Sequence, residues 1–565
     1  MSLLNPAGAA EDSTPIRLNT VGYLPVSRKQ ATIAAPCTSF TMIRLPDGLQ
    51  ILSGKVAGPV LNPDTREQLY TADFSACSQP GDYQLDVPGV GRSAPFRIAA
   101  DLYREPFSTV MLGMYLWRCG TAVNASYHGQ TFAHGPCHTN DAWLDFVGGG
   151  HTEKDGTEGW HDAGDYNKYV VNAGVAVGAL FRAWEDFEPQ IRKIRLEIPE
   201  SGGPLPDFLA ELKWEMDWVL KMQAPDGSVY HKLTTKRFGG FVPPETESTE
   251  RYFTPWGSEA TAVFVGMTAQ ASRIFRPFDP VFAGRCLQAA HQSYQFLKAH
   301  PEYHKADQTG FRTGVYEVNE PDRRLNGIPN NRLWAQAELW ETTGSPRFLR
   351  DLEDNIRTMH GQVNSDFDWE EVRDLGLLTY ALSQRHGRDP ALVKLVRENL
   401  IAVADQIVRS SRQQGYARPL GTAYYWGCNG GVARQTLLLV AAGRLSGKRA
   451  PAAGQMGGAQ LLTQPSRRPA GHPEYRDTCL DALNHLLGRN CYGRSFVTGL
   501  GFNPPMHPHD RRCGDGQGPW PGYLVGGPHP TATDWHDAQS DFRTNEIAIN
   551  WNAALIYALA ACLND

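Results

Sequence analysis

The pattern of apolar and polar residues divides the chain into two parts. Between Pro15 and Ala99, short apolar or alternating runs are separated by turn signals such as Pro46-Asp47-Gly48. Runs of this kind are typical of β-strands, and several of them in so short a segment predict a small β-sandwich. The strand-like runs are 16–19, 29–34, 40–45 and 82–87. We therefore predict a first domain over residues 15–99.

After Asp101 apolar residues recur every three or four positions, as in Leu209, Leu212, Val219 and Met222. This period predicts α-helices, which we place at 107–118, 169–185, 207–222, 260–275, 280–299, 332–341, 390–410, 432–443, 475–487 and 546–562. Their number suits an array of helical hairpins, although periodicity does not show how such an array closes. We predict one mainly α domain over 100–565, with a Gly-, Pro-, Ala- and Gln-rich surface excursion at 444–473.

Composition excludes some classes of function. With 565 residues, 41% of them hydrophobic, the chain can bury a large core in more than one domain. A net charge of -6 offers no basic footprint for nucleic acid or an anionic membrane. No stretch approaches the apolar length of a membrane span. We expect a monomer without nucleic-acid or membrane partners.

Cysteines and the N-terminus bear on the compartment. The segment Met1 to Pro15 lacks the basic and apolar regions of a signal peptide, so either a leader has been removed or the chain is leaderless. Most of the ten scattered cysteines are expected to be buried free thiols. Cys37 and Cys77 could pair if the protein is exported.

Two acidic motifs carry candidate chemistry. Asp162 and Asp165 stand three positions apart around Gly164, and Glu546 follows an Asn far downstream. Hydrolysis of a glycosidic bond needs a base on one face of the sugar and an acid on the other. Acidic residues near glycine are also common in turns and helix caps. Taken alone, the motifs leave both interpretations open.

As whole strings, these motifs resemble glycoside hydrolase family 9. The resemblance rests on residues 159–169 (GWHDAGDYNKY), 545–552 (NEIAINWN), 486–490 (LLGRN) and 507–512 (HPHDRR). Residues 18–25 (LNTVGYLP) resemble the immunoglobulin-like module that precedes many of the family's catalytic domains. The resemblance implies an (α/α)6 barrel behind an Ig-like β-sandwich. It also implies an active site in a loop-lined cleft, inverting cleavage of β-1,4-glucans, and a secreted or periplasmic enzyme.

The resemblance assigns roles to the acidic residues. Asp165 is the base that activates water, and Asp162 holds the same water or tunes its partner. Glu546 is the general acid, which must carry a proton near neutral pH and therefore needs surroundings hostile to its charge. The alternative for Glu546 is a first-turn residue favoured by the helix dipole. That alternative demands a lowered pKa.

Substrate contacts also follow from the resemblance. His509 and Arg511 occupy positions that hydrogen-bond the sugar beside the cleaved bond, although many members have His-His-Arg where this chain has Asp510 between them. Aromatic platforms for glucose are expected from Trp426, Trp256 and Trp551. Each of these rings could equally belong to the core, because large aromatics dominate both settings.

Two metals are expected. Cys119, Cys137, His138 and His161 match the structural zinc ligands of Ig-bearing relatives, and a closed Cys2His2 shell would be structural. A Cys119–Cys137 disulfide is the rival interpretation. Calcium held by loop oxygens is common in the family, and the candidate ligand loops here are the segment 316–332 and the loop at Asp515. The segment's candidate ligands are Glu317, Asn319, Glu320, Asp322, Asn330 and Asn331, and the two last amides weaken calcium affinity.

The leading hypothesis is an endo-acting β-1,4-glucanase. The first rival is an exo-acting enzyme of the same family that cleaves short β-glucosides or glucosaminides, which loop length around the cleft would decide. The second rival is a carbohydrate-binding protein without catalysis. The intact set of Asp162, Asp165 and Glu546 argues against a pure binder, since binding alone needs no acid and base.

Overall fold

A computed structural model describes residues 15–45, 47–317, 331–446, 472–515 and 518–564. The predicted excursion at 444–473 falls almost wholly outside these ranges. Nine short strands form the N-terminal part: β1 Ile16–Arg17, β2 Gly22–Tyr23, β3 Gln30–Ile33, β4 Ser39–Leu45, β5 Gln50–Leu61, β6 Gln68–Asp73, β7 Gly81–Val87, β8 Gly91–Arg92 and β9 Phe96–Ile98.

The long strand β5 joins the two layers of a β-sandwich. Its first half pairs with β4 and its second half pairs with β6, both antiparallel. One layer runs β1-β3-β6-β5, and the other runs β5-β4-β7-β9-β2 with β8 beside β7. Tyr23 packs edge-on against Phe74 and Phe96 between the layers, with ring centroids 5.2 and 5.6 Å apart. This aromatic cluster gives the small module a core of its own.

The rest of the chain is mainly helical. Its helices are α1 Arg104–Leu116, α2 Val170–Ile191, α3 Asp207–Lys221, α4 Ser258–Phe275, α5 Pro280–Ala299, α6 Asn331–Thr343, α7 Pro346–Thr358, α8 Arg373–Leu382, α9 Pro390–Gln413, α10 Cys428–Ser446, α11 Pro473–Leu486, α12 Phe542–Asn545 and α13 Ile549–Ala560. Between α1 and α4 lie the hairpin β10 Val123–Tyr127 and β11 Gln130–His134 and the small sheet β12 Lys168–Tyr169, β13 Lys232–Thr234 and β14 Tyr252–Phe253. No helix in the described ranges combines the length and apolar character needed to cross a bilayer.

Six helices form a closed inner ring. Around it, α2 packs on α4, α4 on α6, α6 on α8, α8 on α10, α10 on α13, and α13 again on α2. Every residue of α13 is buried, as an inner position requires. In α9 the buried residues Leu392, Val396, Leu400 and Ala404 recur every four positions, which marks an outer helix with one covered face. The array is an (α/α)6 barrel.

Alternation of inner and outer helices fixes where a site can form. Each inner helix is preceded by an outer one, so all six inner helices run in the same direction. Their N-termini, and the loops that enter them, therefore meet at one end of the barrel. The two acidic motifs lie in such loops, immediately before α2 and α13.

The β-sandwich docks firmly on the barrel. Asn19 Nδ2 donates to Asn484 Oδ1 at 3.0 Å, and Thr20 Oγ1 donates to the Leu487 carbonyl at 2.8 Å. Thr32 Oγ1 donates to the Gly415 carbonyl at 2.7 Å and accepts from Arg489 Nε at 3.0 Å. These polar contacts, all of them buried or partly buried, make the module a packing partner of the barrel.

Candidate active site

Three loops are joined at the open end of the barrel. The Arg511 amide donates to the Gly164 carbonyl at 3.0 Å, and the His509 amide donates to the Asn545 carbonyl at 2.8 Å. Gly164 is needed for this contact, because a Cβ there would lie 2.1 Å from the His509 carbonyl oxygen. The glycine between the two aspartates thus permits close backbone approach, as its position in the motif predicts.

Asp162 is buried at the start of the site. Its Oδ1 accepts from Asn172 Nδ2 at 2.8 Å, and its Oδ2 accepts from the Tyr316 hydroxyl at 2.7 Å. Burial, and then the nearby charge of Asp165, raise the pKa of Asp162 to about 8. Close carboxyl groups disfavour two negative charges, whereas the hydrogen bonds from Asn172 and Tyr316 lower the pKa of Asp162 and oppose that effect.

Asp165 is oriented through one of its two oxygens. Asn167 Nδ2 donates to Oδ2 at 2.6 Å, and the Tyr169 hydroxyl donates to the same oxygen at 3.2 Å. Within the described residues, the side-chain hydrogen bonds of Asp165 all reach Oδ2. The second oxygen, Oδ1, is therefore available to accept a proton from water.

Glu546 lies in an extended segment between α12 and α13, with φ −71° and ψ 158°. The predicted helix over 546–562 is wrong at its start, because α13 begins at Ile549 after the strand-like pairing of Ala548 with Ala163. Glu546 therefore precedes α13 and does not lie in its first turn. Burial raises the pKa of its carboxyl well above the usual range, and the charge of Asp165 adds to that effect while Arg511 opposes it.

His509 and Arg511 lie at the same end of the barrel as the three acidic residues. His509 Nδ1–H donates to the Gln539 carbonyl at 2.6 Å, which fixes the tautomer and leaves Nε2 for another partner. Arg511 Nε donates to the Gly239 carbonyl at 3.1 Å. Its guanidinium also lies over Phe238 and Phe241, at 5.3 and 5.6 Å from their ring centroids. The Nη groups of Arg511 remain for hydrogen bonds to a ligand.

The four predicted zinc ligands come together behind the catalytic loop. Cys119 Sγ lies 3.7 Å from His138 Nδ1, and Cys137 Sγ lies 3.7 Å from His161 Nε2. All four ligand atoms lie within 4.8 Å of one another, and in the part of the chain that the structure describes they form the one such cluster found. Zinc bonds of about 2.0–2.3 Å in a tetrahedron separate their ligand atoms by roughly 3.3–3.8 Å.

The surroundings of this cluster suit a metal. His138 Nε2 lies 3.3 Å from Glu247 Oε2, the carboxylate–histidine pairing that orients metal-bound imidazoles. Burial lowers the pKa of His161 to about 3, so its ring is neutral and can act as a ligand. Cys119 and Cys137 form no disulfide with each other, and neither do Cys37 and Cys77. The structure thus contains neither of the two disulfides considered from the sequence.

Comparison with known proteins agrees with this geometry. The profile described as glycosyl hydrolase family 9 matches residues 103–559, and that of the cellulase N-terminal Ig-like domain matches residues 11–92. The chain belongs to glycosyl hydrolase family 9. It is similar to endoglucanase D of Acetivibrio thermocellus, at 52% identity over 97% of this chain and 83% of the relative.

Solved structures of family 9 enzymes share the fold. A metagenome-derived family 9 endoglucanase superimposes with a TM-score of 0.86 at 31% identity, covering 97% of this chain and 99% of the other. A Zn-binding triple mutant of the family 9 endoglucanase J30 gives a TM-score of 0.85 at 29% identity, covering 96% and 100%. The Ig-like sandwich and (α/α)6 barrel predicted from the resemblance are confirmed.

The three tryptophans predicted to stack on glucose differ in how far they are exposed to solvent. Trp426 is 47% exposed, and its ring lies 5.5 Å from that of the exposed Phe542. Trp256 is half-buried and stacks on His304 at 3.9 Å. Trp551 is only 6% exposed, and Cβ atoms at Gly427 and Gly430 would collide with it. Its ring is thus almost enclosed by the protein, and its role as a sugar platform stays an untested prediction.

The calcium candidates are only partly described. Asn319, Glu320, Asp322 and Asn330 lie outside the described residues, as does the side chain of Asp515. Glu317 accepts from the Ala306 amide at 2.9 Å and from the Tyr303 hydroxyl at 2.8 Å. Asn331 donates to Glu259 and accepts from the Val372 amide. Both described residues are thus engaged within the protein.

Two residues that contact the catalytic acids were missed by the sequence analysis. Tyr316 donates to Asp162 from a loop 154 positions downstream, and Asn172 does so from the first turn of α2. Tyr316 also packs edge-on against Trp369, with centroids 5.4 Å apart. Their spacing from Asp162 carries no periodic signal. Asn172, a buried polar residue three positions into an apolar helix, could have been noticed.

Proposed function

We propose that the chain is an inverting endo-β-1,4-glucanase. The observation that carries this proposal is that Glu546 and Asp165, at the same end of the barrel, have different surroundings. The pKa of Glu546 is raised well above the usual carboxyl range by burial and by Asp165, whereas Asp165 is oriented through one oxygen only. A protonated acid opposite a carboxylate base is the arrangement that glycoside hydrolysis requires.

The proposed reaction is a single displacement. Asp165 Oδ1 accepts a proton from water while the water oxygen attacks the anomeric carbon. Glu546 gives its proton to the leaving glycosidic oxygen as that bond breaks. The proton gained by Asp165 and the one lost by Glu546 balance, and exchange with solvent restores both groups. Asp162, which accepts hydrogen bonds from Asn172 and Tyr316, positions the same water.

Substrate contacts in this proposal come from His509 and Arg511. His509 Nε2 and the Arg511 Nη groups serve hydroxyls beside the cleaved bond. The exposed face of Trp426 suits stacking on a glucose ring further along the chain, with Trp256 as a more enclosed candidate. Endoglucanase D, the relative at 52% identity, supports internal cleavage of a β-1,4-glucan.

A structural zinc completes the proposal. Cys119, Cys137, His138 and His161 would hold the ion in a closed shell, which leaves no position for a catalytic water. His161 directly precedes Asp162, so the metal would stiffen the catalytic loop. The engaged contacts of Glu317 and Asn331 give calcium no comparable support. A polymeric substrate also favours a secreted or periplasmic location. We assign residues 15–99 to the Ig-like module and residues 100–565 to the catalytic domain.

Products from a defined cello-oligosaccharide series test the function. Endo action predicts mixed internal products at early times by chromatography, whereas release of a single unit from one end would indicate an exo-enzyme. Absence of turnover on every β-glucan would support a binding protein. Asp165→Asn is the matched inactive control, because it keeps the size of the side chain and removes the base.

A further inference from the structure

Two tyrosines that support the catalytic aspartates depend on one loop, which follows α5. Tyr169 donates to Asp165, and Tyr316 donates to Asp162. The loop carries Tyr316 itself, and the amide of Gly314 in the same loop donates to the Tyr169 hydroxyl at 3.1 Å. The position of this loop therefore affects both aspartates.

The hydroxyl of Tyr169 has a fixed direction. A backbone amide can only donate, so the hydroxyl accepts from Gly314, and its single proton is left for Asp165 Oδ2 at 3.2 Å. Gly314 also packs closely on two rings, because a Cβ there would lie 3.0 Å from atoms of both Tyr169 and Tyr316. The position of Gly314 thus sets the hydrogen bond that orients the proposed base.

Lys232 holds Gly314 from the other side. It lies on β13, directly opposite Tyr169 on β12, and it is fully buried. Its Nζ donates to the Gly314 carbonyl at 2.7 Å and to Gln308 Oε1 at 2.6 Å. Nζ also lies 5.7 Å from the centroid of the Tyr169 ring. Lys232 is therefore close to both partners of the hydrogen bond between Gly314 and Tyr169.

The neighbours of Lys232 on β13 fasten the same loop. His231 Nε2 lies 2.8 Å from the Val315 carbonyl oxygen, and Thr234 Oγ1 lies 2.8 Å from Thr313 Oγ1. Lys232, between them in the strand, supplies the bond to the Gly314 carbonyl. The strand thus holds three successive residues of the loop, 313–315.

The amine of Lys232 faces two carboxyl groups. Burial lowers the pKa of Lys232 to about 7, and the charges of Asp165 and Glu317 oppose that shift. A neutral amine keeps two of the three N–H groups of an ammonium, so Lys232 can make both of its hydrogen bonds in either protonation state. Its contact with Gly314 does not depend on titration.

We propose that Lys232 is a positioning residue for the base Asp165, acting through the Gly314 main chain and the Tyr169 hydroxyl. Because it is fully buried, it contacts neither the substrate nor the reacting atoms. By holding Gly314 it keeps the Tyr169 proton directed at Oδ2, which leaves Oδ1 of Asp165 for the attacking water. This inference rests on the proposed role of Asp165 as base.

Steady-state kinetics of Lys232→Met on cellohexaose test the proposal. Methionine is also unbranched but has no N–H to donate, so Gly314 and the Tyr169 hydroxyl lose their support. We expect kcat to fall about 10²-fold, the order of loss that a misplacement of about 1 Å can cause in an active site. KM should stay close to the wild-type value, because Lys232 makes no contact with substrate. An unchanged kcat would overturn the proposal.

Lys29→Met is the matched control for a loss of stability. Lys29 is also fully buried, and its Nζ donates to the carbonyls of Pro25 and Ser27, each at 2.8 Å, within the β-sandwich. Both variants should melt at a lower temperature than the wild type, but only Lys232→Met should lose turnover. An equal loss of kcat in folded Lys29→Met would reduce the effect of Lys232 to stability and contradict the proposal.

A double-mutant cycle with Tyr169→Phe tests the route of the effect. This substitution removes the hydroxyl between Gly314 and Asp165, so Lys232 can no longer act on the base through it. The doubly substituted enzyme should therefore have the kcat of Tyr169→Phe alone, because residues that act through one chain of contacts are not additive. Losses of kcat that multiply would show independent effects and would contradict the proposed route.

The result is separable from a failure of the proposed function. If Asp165→Asn is inactive while Lys232→Met keeps wild-type turnover, the inference about Lys232 fails alone. If both variants keep wild-type turnover, the assignment of the base fails with it. Where Lys232→Met does not fold, Gln308→Leu replaces it, because it removes the second acceptor of the same amine. It should lower kcat in the same direction, and an unchanged kcat would overturn the proposal.

Discussion

Gly164→Ala should damage catalysis without touching a charged group. The added Cβ would lie 2.1 Å from the His509 carbonyl oxygen, whereas real Cβ contacts essentially never fall under 3.0 Å. The obstacle is backbone, so the loop with His509 and Arg511 must recede by about 1 Å from the Asp162–Asp165 loop. A misplacement of about 1 Å in an active site can cost on the order of 10²-fold in rate.

The assay is hydrolysis of cellohexaose and of soluble cellulose derivatives, together with thermal unfolding. We expect kcat/KM to fall about 100-fold and the free energy of unfolding to fall by about 1–3 kcal/mol, the usual cost of overpacking. Gly284→Ala is the control, because it lies in α5 and its added Cβ meets nothing within 4 Å. Near-normal activity of Gly164→Ala would refute the reasoning.

Three further predictions concern the acid, its neighbour and the metal. Glu546→Gln keeps the shape but removes the proton, so turnover of cello-oligosaccharides should fall roughly 10²–10⁴-fold with binding retained; near-normal turnover would place the acid elsewhere. Activity needs protonated Glu546 and is lost as pH rises through its raised pKa. Arg511 lowers that pKa, so Arg511→Gln should move the alkaline limb of the pH–rate profile upward, and an unchanged or lowered limb would contradict this electrostatic coupling. Protein purified without added metal should contain about one zinc per chain, the capacity of one closed shell, and Cys137→Ser should lose it and melt earlier; zinc-free wild type would exclude the site.

Much of the fold was predictable because its helices bury a face. The ten helical segments predicted from periodicity all correspond to helices in the structure. The helices α7 and α8 and the four-residue α12 were missed. In α7 the signal existed, since Phe348, Leu349, Leu352 and Ile356 form one buried stripe within a charged segment. In α8, only ten residues long and interrupted by Gly376, tertiary packing decides the helix.

Less of the site than of the fold could be predicted from the sequence. Asp162, Asp165 and Glu546 could be identified because each lies in a short motif that resembles a motif of the family. Such a motif spans only neighbouring residues and needs no information on long-range contacts. Tyr316 contacts Asp162 only because the chain folds back over the barrel end, which no local pattern encodes. Trp551 resembled a platform because it stands beside Glu546 in sequence. Its close packing against Gly427 and Gly430, which leaves the ring almost enclosed, could not be predicted from that position.

The stereochemistry of hydrolysis tests the central claim most directly. If Asp165 activates water on the face opposite Glu546, a β-linked substrate must yield the α-anomer first. Proton NMR during hydrolysis of cellohexaose resolves the two anomers before they equilibrate. We predict that the α-anomer signal rises first and then decays to the equilibrium mixture. Initial appearance of the β-anomer would contradict the assignment of Asp165 as base.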